Sequence, residues 1–464
     1  MSDIESLIAE LRHAYAAKHS TSADLHEEAT RVMPGGNSRS QLHFEPFPFY
    51  VDRAVGPYLY DVDGHRYLDV VNNYTSLVHG HPDEATVEVI RAQAERGTAY
   101  AAPSPLEIDL ATEITRRVTS IEEVRFTNSG SEAVLYALRL ARHVTGRPDV
   151  IKVEGGYHGG NESVQVSVKH LGERWSESVP EEGVPSSVSA QTHIIPFDDV
   201  DGAVEVIRKV GPTSAALIVE PIQGFGGALR APDGYLEAIS KTAADCGVLT
   251  VFDEIQTLRF AYGGYQQTLG LTPDLTVLGK LIGGGLPVGA FGGSTELMAA
   301  TDPRKAGSMT HSGTFNANPL TMAAGLHALR RLTPEAIERL NTAGNDLREW
   351  INNEAVRLDL PFKASGYGSM LQIHVGSELP SSYREARTRP ISLQTALFYL
   401  LMQHGVFTAP SRAMFALSTA IRARELEEIK AALTHSLERL VQASSRSSAS
   451  SRASGEEGTG DHDP

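Results

Sequence analysis

The chain has 464 residues, a formal net charge of −16, 42 glycines and a single cysteine, Cys246. That length points to two or three domains sharing a large core. The acidic balance disfavours a nucleic-acid partner, and one thiol excludes an internal disulfide, as in a reducing cytoplasm.

The first residues, "MSDIESLIAELRHAYAA", carry no basic block followed by an apolar one, so no secretory signal is read there. No run of about 18 uninterrupted apolar residues is present, so no membrane span is expected. A soluble cytoplasmic protein follows as the expectation. Ile4, Leu7, Ile8 and Leu11 share one face of a predicted N-terminal helix. "PYLYDVDGHRYLDV" reads as a hairpin turning at Asp63-Gly64. Residues 1–65 are therefore assigned to a helix and hairpin segment that belongs to a small domain.

From about residue 124 the rhythm changes. "VRFT", "DVIKV", "HIIPF", "AALIV", "VLTVF" and "LTVL" are short apolar runs, several separated by helical patterns such as "SEAVLYALRLARHVTG". Continuous apolar strands alternating with helices predict an α/β fold with a mostly parallel sheet covered on both faces. Residues 66–325 are read as this large domain. Residues 326–442 are more helical, with strands such as "MLQIHV", and are read as a smaller α+β domain. The Ser-rich stretch 443–464 has no large apolar residue and is predicted to be a disordered tail.

Ligands of a parallel sheet sit beyond the carboxyl ends of its strands, so the residues after each apolar run carry the information. "VRFT" is followed by Asn128, Ser129, Gly130 and Ser131 at the head of a helix, a pattern that suits phosphate. Next, "VIKV" leads into Glu154 and then Tyr157 and His158 between glycine pairs. Glu220 and Gln223 follow "AALIV", Asp253 and Glu254 follow "VLTVF", and Lys280 follows "LTVLG".

Competing readings fail on missing partners. "LTVFDE" resembles a nucleotide-binding acidic strand, but no GxxxxGK[ST] loop accompanies it. "GFGGAL" lacks the last glycine of a dinucleotide fingerprint, and GxSxG is absent. His79, His81 and His158 show no metal-ligand spacing, so no metal is assigned.

A strand-end lysine, a carboxylate, an aromatic between glycines and a phosphate cradle suit pyridoxal 5′-phosphate. The lysine amine can form a Schiff base with its aldehyde, and the carboxylate can keep the pyridine nitrogen protonated. Burial should depress the lysine pKa. The glycines after Lys280, "GGGLPVGAFGG", are expected to leave room for cofactor and substrate.

"NSGSEAVLYALRLAR", "EGGYHGGNE", "LIVEPIQGFGG", "LTVFDEIQTLRFAYGG", "PDLTVLGKLIGGGLPVGAFGG" and "HSGTFNANPLTMAAG" together resemble the class III, fold type I aminotransferases over about residues 30–440. Within them the chain looks most like the glutamate-1-semialdehyde aminomutases and the β-amino-acid (β-phenylalanine-type) aminotransferases. The resemblance implies that Lys280 holds the cofactor and shuttles the proton, and that Asp253 pairs with the pyridine nitrogen. It implies that Tyr157 and Ile255 close the two ring faces, with His158, Glu220 and Gln223 nearby. Ser129, Gly130 and Ser131 would hold the phosphate, completed by Thr314 from the other subunit of a homodimer with shared sites.

Arg39, in "PGGNSRS", would bind a substrate carboxylate, and Arg412, in "TAPSRAMF", an acid group of the acceptor. The branch is left open by the residues. The aminomutases read "MTGFR" after the acidic pair, where this chain has "QTLRF". Expected substrates are an amino acid, with the amine on the β-carbon and an aromatic group, and a keto acid such as 2-oxoglutarate or pyruvate. Intramolecular amine transfer is the alternative. A non-catalytic binding protein of the same fold is a further one, which the presence of Lys280, Asp253 and the cradle disfavours.

Overall fold

The computed structural model describes residues 3–171, 174–175, 178–410 and 412–453. All six apolar runs are strands of one seven-stranded sheet. Its order is Thr192–Ile195, Asp149–Val153, Ser214–Val219, Leu249–Asp253, Leu275–Gly279, Gly289–Gly293 and Glu123–Thr127.

Alternate residues of these strands feed two cores. Val150, Ile218 and Val251 pack under the helix Gly130–Thr145. Ile151, Leu217 and Phe252 pack under Val200–Val210 and Tyr235–Asp245. Helices on both faces are why the strands are apolar at every position rather than every second one.

Gly289–Gly293 runs antiparallel to both neighbours and was not foreseen. A Cβ on Gly289 would lie 2.0 Å from Ser129 O, and one on Gly292 2.6 Å from Glu123 O. Gly284, at φ +59°, would put a Cβ 2.3 Å from Ala324 O. These contacts correct the reading of the glycines after Lys280. At 284, 289 and 292 they let backbone meet backbone, so that the turn after Lys280 is clamped rather than opened.

The helix Pro319–Arg331 completes the clamp, since a Cβ on Gly325 would sit 2.0 Å from Ile282 O. Gly325→Ala is therefore expected to cost about 1–3 kcal/mol through overpacking. A fall in the thermal unfolding midpoint, measured on purified protein, checks it.

Two further sheets join distant parts of the chain. Val51–Val55, Tyr58–Asp61 and Arg66–Asp69 form a meander that pairs with Val406–Phe407. Phe362–Tyr367, Met370–Val375 and Met414–Ala416 form the other. The N-terminal helix, Asp3–Lys18, buries Leu7, Leu11 and Tyr15 and packs against Ser392–Gln403.

The last helix, Ala423–Ala453, continues past residue 443, where the sequence reading placed disorder. Extending a nucleated helix adds a hydrogen bond per residue without a new nucleation cost. Residues 454–464 lie outside the described residues. Among the described residues no helix is long and apolar enough to cross a membrane.

Candidate active site

Lys280 stands at the carboxyl end of Leu275–Gly279 in the left-handed region, φ +50°. A non-glycine residue there is held by its surroundings at a cost of roughly 1–2 kcal/mol. Burial lowers the Lys280 amine below the ordinary lysine value. The charges of Asp253 and Glu220 oppose that, and those of Arg259 and Arg39 reinforce it.

On the neighbouring strand, Asp253 is 3% exposed. Its Oδ2 is 2.8 Å from His158 Nδ1, and its Oδ1 accepts from Ile255 N at 3.1 Å. His158 Nε2 is buried without a partner, and burial holds the imidazole below its usual pKa. Together these assign a neutral ring that donates its Nδ1–H to Asp253. The adjacent Glu254 turns away. It accepts from Thr257 Oγ1 and from the N–H groups of Tyr265 and Gln266, at 3.0 and 2.7 Å.

Ser129 caps the helix Gly130–Thr145, its hydroxyl accepting from Glu132 N at 3.2 Å. The first turn of such a helix leaves N–H groups without intrahelical partners, which favours an anion. Ser131 Oγ accepts from Gly160 N at 3.1 Å. A Cβ on Gly159 would lie 2.2 Å from Ser131 Oγ, and one on Gly130 2.6 Å from Ile255 Cδ1. Any side chain at either position would crowd this cradle. Ile255 thus lies between the helix head and Gly279, beside Lys280.

Glu220 and Gln223 act on the loop that carries Tyr157. Glu220 accepts from Tyr157 N at 2.8 Å and from Gly224 N and Gln256 Nε2, both at 3.2 Å. Burial, reinforced by the charge of Asp253, pushes its carboxyl above the usual range. Gln223 Nε2 donates to Glu154 O at 2.5 Å. Tyr157, amid buried groups, keeps 41% of its surface exposed and offers an open face to a flat ligand.

Phe225, unremarked in the sequence reading, connects the rest. Its ring lies 4.9 Å from that of Tyr157 and 6.3 Å from that of Tyr74. Arg412 stacks over it at 4.6 Å and donates to its carbonyl at 2.8 Å. Arg39 lies over Tyr74 at 5.4 Å and donates to Asn73 Oδ1 at 2.8 Å. Both predicted arginines therefore flank one aromatic group.

Asn72 to Thr75 all have positive φ, between 47° and 76°. Asp69 Oδ1 holds this strained turn through the N–H groups of Val71 and Asn72. The aromatic between glycines in "GFGG" was a usable signal for Phe225, being the same pattern as at Tyr157. In "NNYT" only the two asparagines hint at the turn. Thr314 is exposed on the surface near Tyr100 and Pro103, two residues from Asn316, which accepts from Asn128 Nδ2 at 2.9 Å.

A strand-end lysine, a buried carboxylate on the next strand and an anion cradle, on a mixed seven-stranded sheet, define a pyridoxal 5′-phosphate enzyme of fold type I. The model of the class III aminotransferase family matches residues 40–437, and the chain belongs to that family. It uses pyridoxal 5′-phosphate.

It is 38% identical over 394 residues to a glutamate-1-semialdehyde 2,1-aminomutase of Methanothrix thermoacetophila, covering 84% of this chain and 90% of that one. An omega-transaminase from Sphaerobacter thermophilus shares 39% identity at a TM-score of 0.86, over 90% of this chain and 97% of that one. A β-phenylalanine aminotransferase from Variovorax paradoxus shares 34% at 0.86, over 93% and 97%.

Proposed function

We propose a transaminase that takes its amino group from a β-amino acid with an apolar, aromatic side chain and passes it to a keto acid. The cofactor, when bound, supplies the electron-accepting ring. Lys280 would hold it through its amine, and that amine, when free, would move a proton at the donor carbon as general base and then acid. Burial lowers that amine below the ordinary lysine value, which favours the neutral form the task needs. Asp253, which accepts from His158 Nδ1 behind it, would pair with the ring nitrogen. Ser129, Gly130 and Ser131 hold the phosphate, and Tyr157 and Ile255 bound the two ring faces. We place the partner subunit's Thr314 at the same phosphate, in a homodimer. The exposure of Thr314 and of Phe315 beside it supports that reading.

The observation that carries the donor assignment is the setting of Arg39. Its neighbours Asn73 and Tyr74 also line an apolar cavity of about 320 Å³ with Leu42, Phe44, Phe49 and Phe407. A planar guanidinium for a carboxylate, beside a lipophilic recess, fits an acid with a large apolar group. The likeness to a β-phenylalanine aminotransferase supports the position of the amine.

Arg39→Ala is expected to raise the donor KM by about 10–100-fold, the worth of a charge-assisted hydrogen bond. Steady-state kinetics over α- and β-amino acids, both enantiomers, measure it. An unchanged KM would remove Arg39 from the substrate site.

Relatives named as aminomutases support a second reading, amine transfer within one molecule. Mixing the enzyme with one amino acid separates the two. Keto acid in amounts equal to enzyme argues for the transaminase, and an isomerised product without an acceptor argues for the mutase.

A further inference from the structure

The sequence reading weighed His79, His81 and His158 as metal ligands and assigned none. In the structure each has another partner: His79 lies on Thr419 and the Ala328 carbonyl, His81 on Asp69, and His158 on Asp253. A different set converges where the N-terminal helix meets the meander. His19 stands at the break between Asp3–Lys18 and Ser20–Thr30. Asp61 closes the strand Tyr58–Asp61 and His65 sits just before Arg66–Asp69, so the two flank the hairpin turn. Asp63, inside that turn, accepts from Thr21 N at 2.7 Å and from Ser22 N at 3.1 Å, which pins His19 over Asp61 and His65.

Asp61 Oδ2 is 3.0 Å from His65 Nδ1 and 3.4 Å from His19 Nε2, and the ligand atoms of the three residues lie within 4.8 Å of one another. Nitrogen and oxygen ligands about 2.0–2.2 Å from a tetrahedral zinc stand about 3.3 Å apart. A small turn of the His65 ring, whose side chain is 34% exposed, would close the three on one ion.

The contacts behind them suit metal ligands. His19 Nδ1 donates to Tyr15 O at 2.6 Å, which leaves Nε2 toward Asp61. Asp61 Oδ1 accepts from the N–H groups of Asp63 and His65, at 3.1 and 2.7 Å, which leaves Oδ2 for the imidazoles. Such outer hydrogen bonds orient the imidazole and carboxylate ligands of a metal.

Hydrogen bonding without an ion explains these contacts only in part. His65 Nδ1–H can donate to Asp61, and Tyr67 O–H to His19 Nε2 at 2.7 Å. Tyr15 is left over. Its ring stacks on His19 with centroids 3.9 Å apart, and it is 6% exposed. Among the described residues its hydroxyl is buried without a partner. Tyr15, His19, His65, Tyr67 and Tyr399 line one cavity of about 170 Å³. That is room for a metal-bound water, which would fill the open coordination position and bond the stranded hydroxyl.

We propose that His19, Asp61 and His65 bind Zn²⁺, with water from the cavity as fourth ligand, and that the ion fastens the N-terminal helices to the meander. Two imidazoles and one carboxylate are a ligand set that zinc takes and that magnesium and calcium do not favour. The proposal does not rest on the transaminase reading.

The test uses the full-length protein carrying its cofactor, dialysed first against chelator and then against Zn²⁺. Inductively coupled plasma mass spectrometry should find about one zinc per chain in wild type, and Co²⁺ in its place should give the visible bands of a four-coordinate site. His65→Gln keeps an N–H donor for Asp61 but loses the ring nitrogen. In competition with a chromogenic chelator it should bind Zn²⁺ more than about 100-fold more weakly, beyond the roughly 10–100-fold cost of losing an outer partner.

Zn²⁺ should raise the thermal unfolding midpoint of wild type, increasingly with concentration, and leave that of His65→Gln in place. Mg²⁺ and Ca²⁺ should raise neither. Wild type that binds no zinc, or His65→Gln that binds it as tightly, overturns the proposal and leaves the three side chains as hydrogen-bonding partners alone.

Discussion

Lys280→Ala is expected to lower the rate of amino transfer by about 10⁴-fold or more, because it removes covalent attachment and the proton carrier together. Among the described residues the geometry leaves no substitute close by. The neighbouring cations Arg39 and Arg259 are guanidiniums, and Arg259 is fully buried, donating to Ser369 Oγ at 2.8 Å and to Leu417 O. A guanidinium does not lose a proton near neutral pH and cannot serve as the base. Lys152, also buried, spends its amine on the carbonyls of Val164 and Val166, both at 2.9 Å.

Single-turnover kinetics measure the loss. Borohydride reduction followed by peptide mass spectrometry should place the pyridoxyl adduct on Lys280 in wild type and leave Lys280→Ala unlabelled. An adduct on another lysine would sink the assignment. The variant does not relieve the strain at φ +50°, since alanine carries the same Cβ, so no gain in stability is expected from the backbone.

Asp253→Asn is expected to slow the same reaction by about 10²–10⁴-fold, equivalent to the roughly 3–5 kcal/mol lost when a buried charge pair is broken from one side. The substitution is nearly isosteric. Its single amide oxygen can accept from His158 Nδ1 or from Ile255 N but not from both, because those bonds fall on different carboxylate oxygens, so one of them is lost as well. What goes with it is the negative charge that, on the proposed reading, would keep the ring nitrogen protonated. The loss should therefore fall on kcat, with a weaker grip on the cofactor seen by equilibrium dialysis. Glu254→Gln, on the next residue, should instead act on stability, because that carboxylate ties the turn to Tyr265 and Gln266. Equal kinetic losses for the two variants would mean that the carboxylates have been assigned the wrong way round.

The pair Asp253 and Glu254 also shows where reading from sequence stops. Two acids after an apolar strand mark a site, but successive side chains point to opposite faces. Which one meets the ligand depends on what covers each face, and here a returning segment, Tyr265 and Gln266, claims Glu254. The same holds for Phe225, whose importance comes from Tyr157, Tyr74 and Arg412 meeting on it from three separate stretches of chain. The Asn72–Thr75 turn was hard to foresee because Tyr74 and Thr75 disfavour the positive φ that Asn72 and Asn73 tolerate. It is imposed by Asp69 and by the bond from Asn72 Nδ2 to Ala416 O.

By itself the amino-acid order determined the sheet strands with continuous apolar runs, the positions of Lys280 and Asp253 at their ends, and the serine and glycine head of the long helix. Each is a local signal, written in burial pattern, charge and capping chemistry within a few residues. Only the tertiary structure decided that "GAFGG" is an antiparallel strand, that the glycines after Lys280 pack backbone on backbone, and that Arg39 and Arg412 share one aromatic group. A glycine run carries no side-chain pattern to read. Contacts between residues hundreds of positions apart are set by how layers pack, which no short stretch of sequence encodes.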